Sequence, residues 1–145
     1  MNYKDLLLKD ICSRLPYNIR FPITVKNPIT SEPIETTGAI SSINRYGIVS
    51  FVWDYEGQEI LVKDSLHIKD VKPYLFPLSS MTKEQKEEFN SYFASVPYYG
   101  DNVQEYVVPY YFVELLIEFF HKNHIDNNGL IPKGLANDAT GKNIY

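Results

Sequence analysis

The chain has 145 residues, 22% of them charged and 44% hydrophobic, with a formal net charge of −4. That is enough for one domain (1–145) with its own core, and too acidic for a protein that coats duplex nucleic acid through a basic stripe. Cys12 is the only cysteine, which excludes an intrachain disulfide and a cysteine-only metal site.

No basic-then-apolar leader opens the sequence, and Glu114 and Glu118 break its longest apolar run. Neither a secretory signal nor a membrane span is expected, and the reading is a cytoplasmic protein in a reducing compartment. The aromatic fraction is high, at 14%, with 12 Tyr and 8 Phe against one Trp. Such rings build cores, but tyrosine also builds sticky surfaces, because its hydroxyl stays wet while the ring is covered.

Asn2 to Leu15 carries Leu7, Ile11 and Leu15 four apart, with Leu8 and Cys12 beside them and Lys4, Asp5, Lys9 and Asp10 facing away. This is an N-terminal helix (1–16) that Pro16 stops. Cys12 is expected to be a small buried hydrophobe. Phe21, Ile23 and Val25 alternate with Pro22 and Thr24 in a half-buried strand, and Pro22 places it at a sheet edge.

A β meander is expected over 20–72. Ile34–Ile43 is a strand with a bulge or bend at Gly38, and Ile48–Trp53 is a central strand rich in β-branched and aromatic residues. Glu59–Lys63 alternates again, and Leu66–Val71 reads as a short turn and a last strand. Four or five antiparallel strands in some 50 residues describe a bent sheet or a small barrel, in the manner of Tudor and Sm barrels.

A helical pair is expected over 82–125. Thr82 and Gln85 form a capping box ahead of a helix-favouring run, whose buried stripe is Phe89, Tyr92, Phe93 and Val96 and which Pro97 ends. Pro109–His124 is apolar on nearly every side except a stripe of Glu114, Glu118 and Lys122. We read it as the central core helix, packed on the sheet. From 126 to 145 an extended tail is expected, pinned by Leu130, Ile131 and Leu135 and frayed at its end. The fold class is α+β.

The sequence carries few catalytic signals. Glu118 and His121, three apart on a helix, could share a metal, but the ligand count falls short of a di-iron set, and a polar surface stripe explains them as well. His124 with Asp126, and His67 with Asp64 or Asp70, could form acid–base pairs or plain loop contacts. There is no nucleophile elbow and no phosphate-binding loop. No enzyme activity, no cofactor and no metal are therefore expected.

Binding has more material. Tyr46, Trp53 and Tyr55, with Phe51, gather on and around the second hairpin and could face a peptide, a methylated cation or a base. If that side points inward, Phe51 and Trp53 are core. Tyr98, Tyr99 and Tyr110 form a second patch around the entry to the last helix. The expected partner is a protein, with nucleic acid as the alternative, no membrane, and a homodimer open.

Two stretches resemble a family of small hypothetical proteins from Bacteroidetes and their phages and prophages. One is Val71-Lys-Pro-Tyr-Leu-Phe-Pro-Leu-Ser-Ser-Met-Thr82 with Lys83–Glu88, and the other is His124-Ile-Asp-Asn-Asn-Gly-Leu-Ile-Pro-Lys-Gly-Leu-Ala136. Similar proteins carry Tyr-Arg where this chain has Asn127-Asn128. The resemblance implies a bacterial cytoplasm and a mobile-element setting, and no activity or functional residue. It fits a phage- or prophage-encoded accessory or anti-defence protein.

Overall fold

The computed structural model describes residues 2–94 and 110–145, with side chains given for 2–92 and 113–145. Helix α1 spans Tyr3–Arg14, capped by the Asn2 side chain, which accepts from the Asp5 N–H at 2.9 Å. It stops just before Leu15-Pro16, where a 3-10 turn takes over. Leu15 keeps helical dihedrals, at φ −50° and ψ −41°, and it is the missing N–H of Pro16 that breaks the helical ladder.

A four-stranded antiparallel sheet follows in the order β1 (Arg20–Lys26), β2 (Pro33–Ile43), β3 (Ile48–Tyr55), β4 (Gln58–His67). Each hairpin is closed by its own sequence. Asn27 Oδ1 accepts from Ile29 and Thr30 N–H, and Asn44 Oδ1 accepts from Tyr46 and Ile48 N–H. Glu56 and Gly57 both take positive φ, at 50° and 80°, the pairing that matches a two-residue hairpin to the sheet twist.

The β meander departs from expectation at two places. The β2 bulge lies between Ile40 and Ser42, not at Gly38. Gly38 pairs with Phe21, and a Cβ there would meet Ile23 Cδ1 at 3.0 Å and Phe51 Cδ2 at 3.1 Å. Its role is close packing. The second departure is the last strand. Leu66 does not open a fifth strand; it continues β4 beyond an irregularity in which Ser50 faces Lys63, Asp64 and Ser65. Asp64 sits at φ 45°, and its N–H donates to Ser50 Oγ at 2.9 Å. A 3-10 turn then covers Ile68–Asp70. The sheet has four strands, and the barrel is not closed.

Helix α2 spans Lys83–Ala94 and α3 spans Tyr110–Lys122. The Thr82 capping box forms as read: Gln85 N–H donates to Thr82 Oγ1 at 3.1 Å, and Thr82 N–H to Gln85 Oε1 at 2.9 Å. A short parallel pair joins β5 (Tyr74–Leu75) to β6 (Asn137–Asp138).

The core is not built on α3. Leu7 and Ile11 of α1 pack with Phe21, Ile23, Val49, Phe51 and Trp53 of the sheet, and Leu75 and Leu130 join them. Burying each such side chain is worth about 1.5–3 kcal/mol. α3 packs on α2 and α1 instead. Phe119 is fully buried, and rings of Phe89 and Tyr92 meet it at 5.8 and 6.1 Å. Over the preceding turn and a half the helix is largely in solvent, with Val113, Leu115 and Ile117 at 43, 39 and 43% exposure. The tail is not frayed. Leu130 and Ala139 are fully buried, and the Tyr145 hydroxyl donates to Tyr74 O at 2.7 Å.

Candidate functional site

The concave face of the sheet carries alternate residues of three strands: Phe21 and Ile23 from β1, Phe51 and Trp53 from β3, Ile60 and Val62 from β4. Helix α1 and the C-terminal tail close part of this face. The rest is an apolar groove of about 550 Å³ bordered by the two edge strands, β1 and β4. Thr24, Lys26, Ser65 and Asp70 add polar groups to an otherwise apolar lining. Volume and lining match the usual form of a binding site, an apolar hollow with a few polar groups.

Its walls are set by ring packing. Phe21 and Phe51 meet edge to face at 5.5 Å and 89°, and Trp53 and Tyr55 at 5.8 Å and 62°. Trp53 is 5% exposed. It is a packed wall: of the two readings that the alternation left open, Phe51 and Trp53 take the inward one, and Trp53 is not part of an exposed binding face. Tyr55 is half-buried beside it. Tyr46 stands apart, 67% exposed at the β2–β3 turn with the Arg45 guanidinium 4.9 Å over its ring. β3 separates it from Trp53 by seven residues, roughly 20 Å of strand. Of the second patch, Tyr98 and Tyr99 lie outside the described residues; Tyr110 begins α3, with its side chain outside them.

No family model matches the chain, and no curated protein and no solved structure matches it.

A second cluster, polar and enclosed, joins α1 to the tail. Asp10 does not face away: it is 2% exposed, and Arg14 is fully buried. Arg14 Nε donates to Asp10 Oδ2 at 2.7 Å, and its Nη2 donates to Ile125 O and Asn127 Oδ1, each at 2.8 Å. Asn128 Nδ2 donates to Asp10 Oδ1 at 2.7 Å. Asp126 accepts from the Leu130 and Ile131 N–H groups at 2.7 and 2.9 Å. His124 stacks on Tyr145 at 3.4 Å, and burial first, then Arg14 and Arg20, pull its pKa down to about 4. Burial and Arg14 lower that of His121 as well.

These contacts redistribute the candidate chemical groups. His121 is buried, with the Tyr17 ring 6.4 Å away, whereas Glu118 is exposed. Lys122 leaves the expected α3 stripe and pairs with Glu88 of α2 at 2.6 Å. His67 Nδ1 accepts from Lys69 N–H and caps a 3-10 turn. Among the described residues no group of three or more His, Cys, Asp or Glu is placed to hold a metal. Cys12 is exposed, contrary to expectation, and partial burial raises its pKa, so it lacks the electropositive setting of a reactive thiol.

The groove could be traced in the sequence only in part. The inward alternation of Phe21, Ile23, Ile60 and Val62 was legible. Its openness was not, because that depends on Leu66–His67 prolonging β4 instead of supplying another strand.

Proposed function

We propose that this chain is a protein-binding module that receives its partner on the open apolar face of the half-barrel. The observation that carries this is the groove of about 550 Å³ between β1 and β4, walled by Phe51, Trp53 and Val62. Phe51 and Trp53 form a packed floor, and what a partner would cover is the half-buried rim of Val25, Ile60, Val62 and Leu66, whose removal from water favours binding. The test compares wild-type protein with Val62→Lys, which puts a charge into the groove. A partner isolated from the host should bind the wild type and lose at least tenfold in affinity to the variant. Equal affinity would place the binding surface elsewhere.

The resemblance to phage and prophage proteins supports a bacterial cytoplasmic setting and, within it, an accessory or anti-defence role. Expression should then rescue an infecting phage from at least one host defence, and Val62→Lys should abolish the rescue. A nucleic-acid reading has the exposed Arg45–Tyr46 pair in its favour; it requires affinity that falls steeply with salt.

A further inference from the structure

We infer that the partner enters as an extended strand that pairs with the free edge of β4 at Gln58–Val62 and drops alternate apolar side chains into the groove. This rests on the protein-binding reading and names the form of the ligand.

β4 pairs with β3 and, among the described residues, with no other strand. The two-residue hairpin fixes which backbone groups are left over. Tyr55 faces Gln58 across the turn, Trp53 faces Ile60 and Phe51 faces Val62. In a ladder that starts from such a hairpin these are the hydrogen-bonded pairs. The backbone N–H and C=O of Glu59 and Leu61 therefore point away from β3, to the open edge. A regular free edge of this kind is a template for strand addition.

Side-chain alternation completes the site. Ile60 and Val62 line the groove, while Glu59 and Leu61 are exposed on the other face. An added strand in register would keep the same period, with every second side chain directed inward. Past Val62 the irregularity at Lys63–Ser65, with Asp64 at φ 45°, ends the regular edge, which limits pairing to about five residues. The opposite border is less suited to accept a strand: Pro22 lacks an N–H, and β5 lies against β1.

The ligand chemistry follows from the two features together. A fatty acid or other small apolar molecule would fill the hollow and leave the row of backbone groups on β4 unpaired. A helix would present no free backbone donors to that row. An extended peptide with apolar residues at alternate positions answers both. A second copy paired β4 to β4 would use the edge but leave the groove empty.

The test is a selection from a random ten-residue displayed library on the full chain, counter-selected on Val62→Lys. Binders should show apolar residues with period two. In a selected peptide, N-methylation of an amide facing β4 should weaken binding at least tenfold, and the same methyl one residue along should change it less than twofold. Leu61→Pro, which removes an outward N–H, should weaken binding at least tenfold at an unchanged melting temperature. Because the methyl scan alters only the peptide, it stands even if that variant melts early. Binders lacking period two, or indifferent to the position of the methyl, would overturn strand addition and leave groove binding intact. No binder beyond the Val62→Lys background would overturn both. A free protein that light scattering shows to be dimeric, with Leu61→Pro making it monomeric, would assign the edge to a second copy and overturn the proposal.

Discussion

The concave face of the sheet is finished in opposite ways at its two parts. Where α1 and the tail cover it, polar groups are buried and most are engaged: Arg14 spans Asp10, Ile125 and Asn127, and Asn128 returns to Asp10, while Arg14 Nη1 and His124 Nδ1 find no partner among the described residues. Where β1 and β4 border it, the lining is apolar and nothing among the described residues covers it. Buried charge needs fixed partners in fixed positions, so the polar part locks one arrangement of helix and tail. An apolar hollow makes no such demand, and can stand open until a matching surface arrives. The difference separates the part that holds the fold from the part proposed above to bind.

The largest expected effect breaks the locked part. Arg14→Met leaves the Asp10 carboxylate buried without its cation, and should cost about 3–5 kcal/mol in urea unfolding. The double change Asp10→Leu, Arg14→Met removes both charges and should recover most of that loss. If the single variant costs no more than about 1 kcal/mol, the cluster is not a lock.

Acid should weaken the same region. His124 titrates near 4 in the folded chain, below the 6.5 of an ordinary histidine. The folded state thus binds fewer protons, so His124's share of stability is whole above pH 6.5 and shrinks as pH falls toward 4. The loss amounts to about 3 kcal/mol, at ~1.4 kcal/mol for each pH unit between the two values. His124→Asn should flatten the stability curve over that window, since asparagine tolerates the φ of 56° held there. Curves of equal slope for wild type and variant would remove the histidine from the account.

Gly38→Ala probes the wall between core and groove. Its methyl would press on Ile23 and Phe51 at 3.0 and 3.1 Å, and should cost about 1–3 kcal/mol by overpacking, with partner affinity reduced in step. The smallest effect is expected at the tail. Tyr145→Phe removes a hydroxyl that donates to Tyr74 O and accepts from Arg20 N–H, for about 0.5–1.5 kcal/mol in thermal unfolding. No change would mean that stacking on His124 alone seats the ring.

The sequence was most legible where local rules decide. Pro16 ended α1, Pro22 marked an edge strand, and Thr82 with Gln85 formed their box, because each acts through its own backbone. It was least legible where the partner is distant. Asp10 read as a solvent-facing charge since nothing near it in sequence shows that Ile125, Asn127 and Asn128 close over the Asp10–Arg14 pair. Apolar residues on every side of α3 were read as burial, but burial needs neighbours, and among the described residues they gather at the last turn around Phe119. Trp53 was legible as an aromatic of the hairpin; whether it faced a ligand or the core turned on the curl of the whole sheet.

The central claim is that β4 ends the sheet and is open to a strand. Amide hydrogen exchange, resolved by residue in the free protein and with a selected peptide bound, tests it most directly. Glu59 and Leu61 should exchange fast in the free chain while Ile60 and Val62 are slow, and the peptide should slow Glu59 and Leu61 at least tenfold. If Glu59 and Leu61 are already as slow as their neighbours before any peptide is added, the edge is closed and the account is wrong.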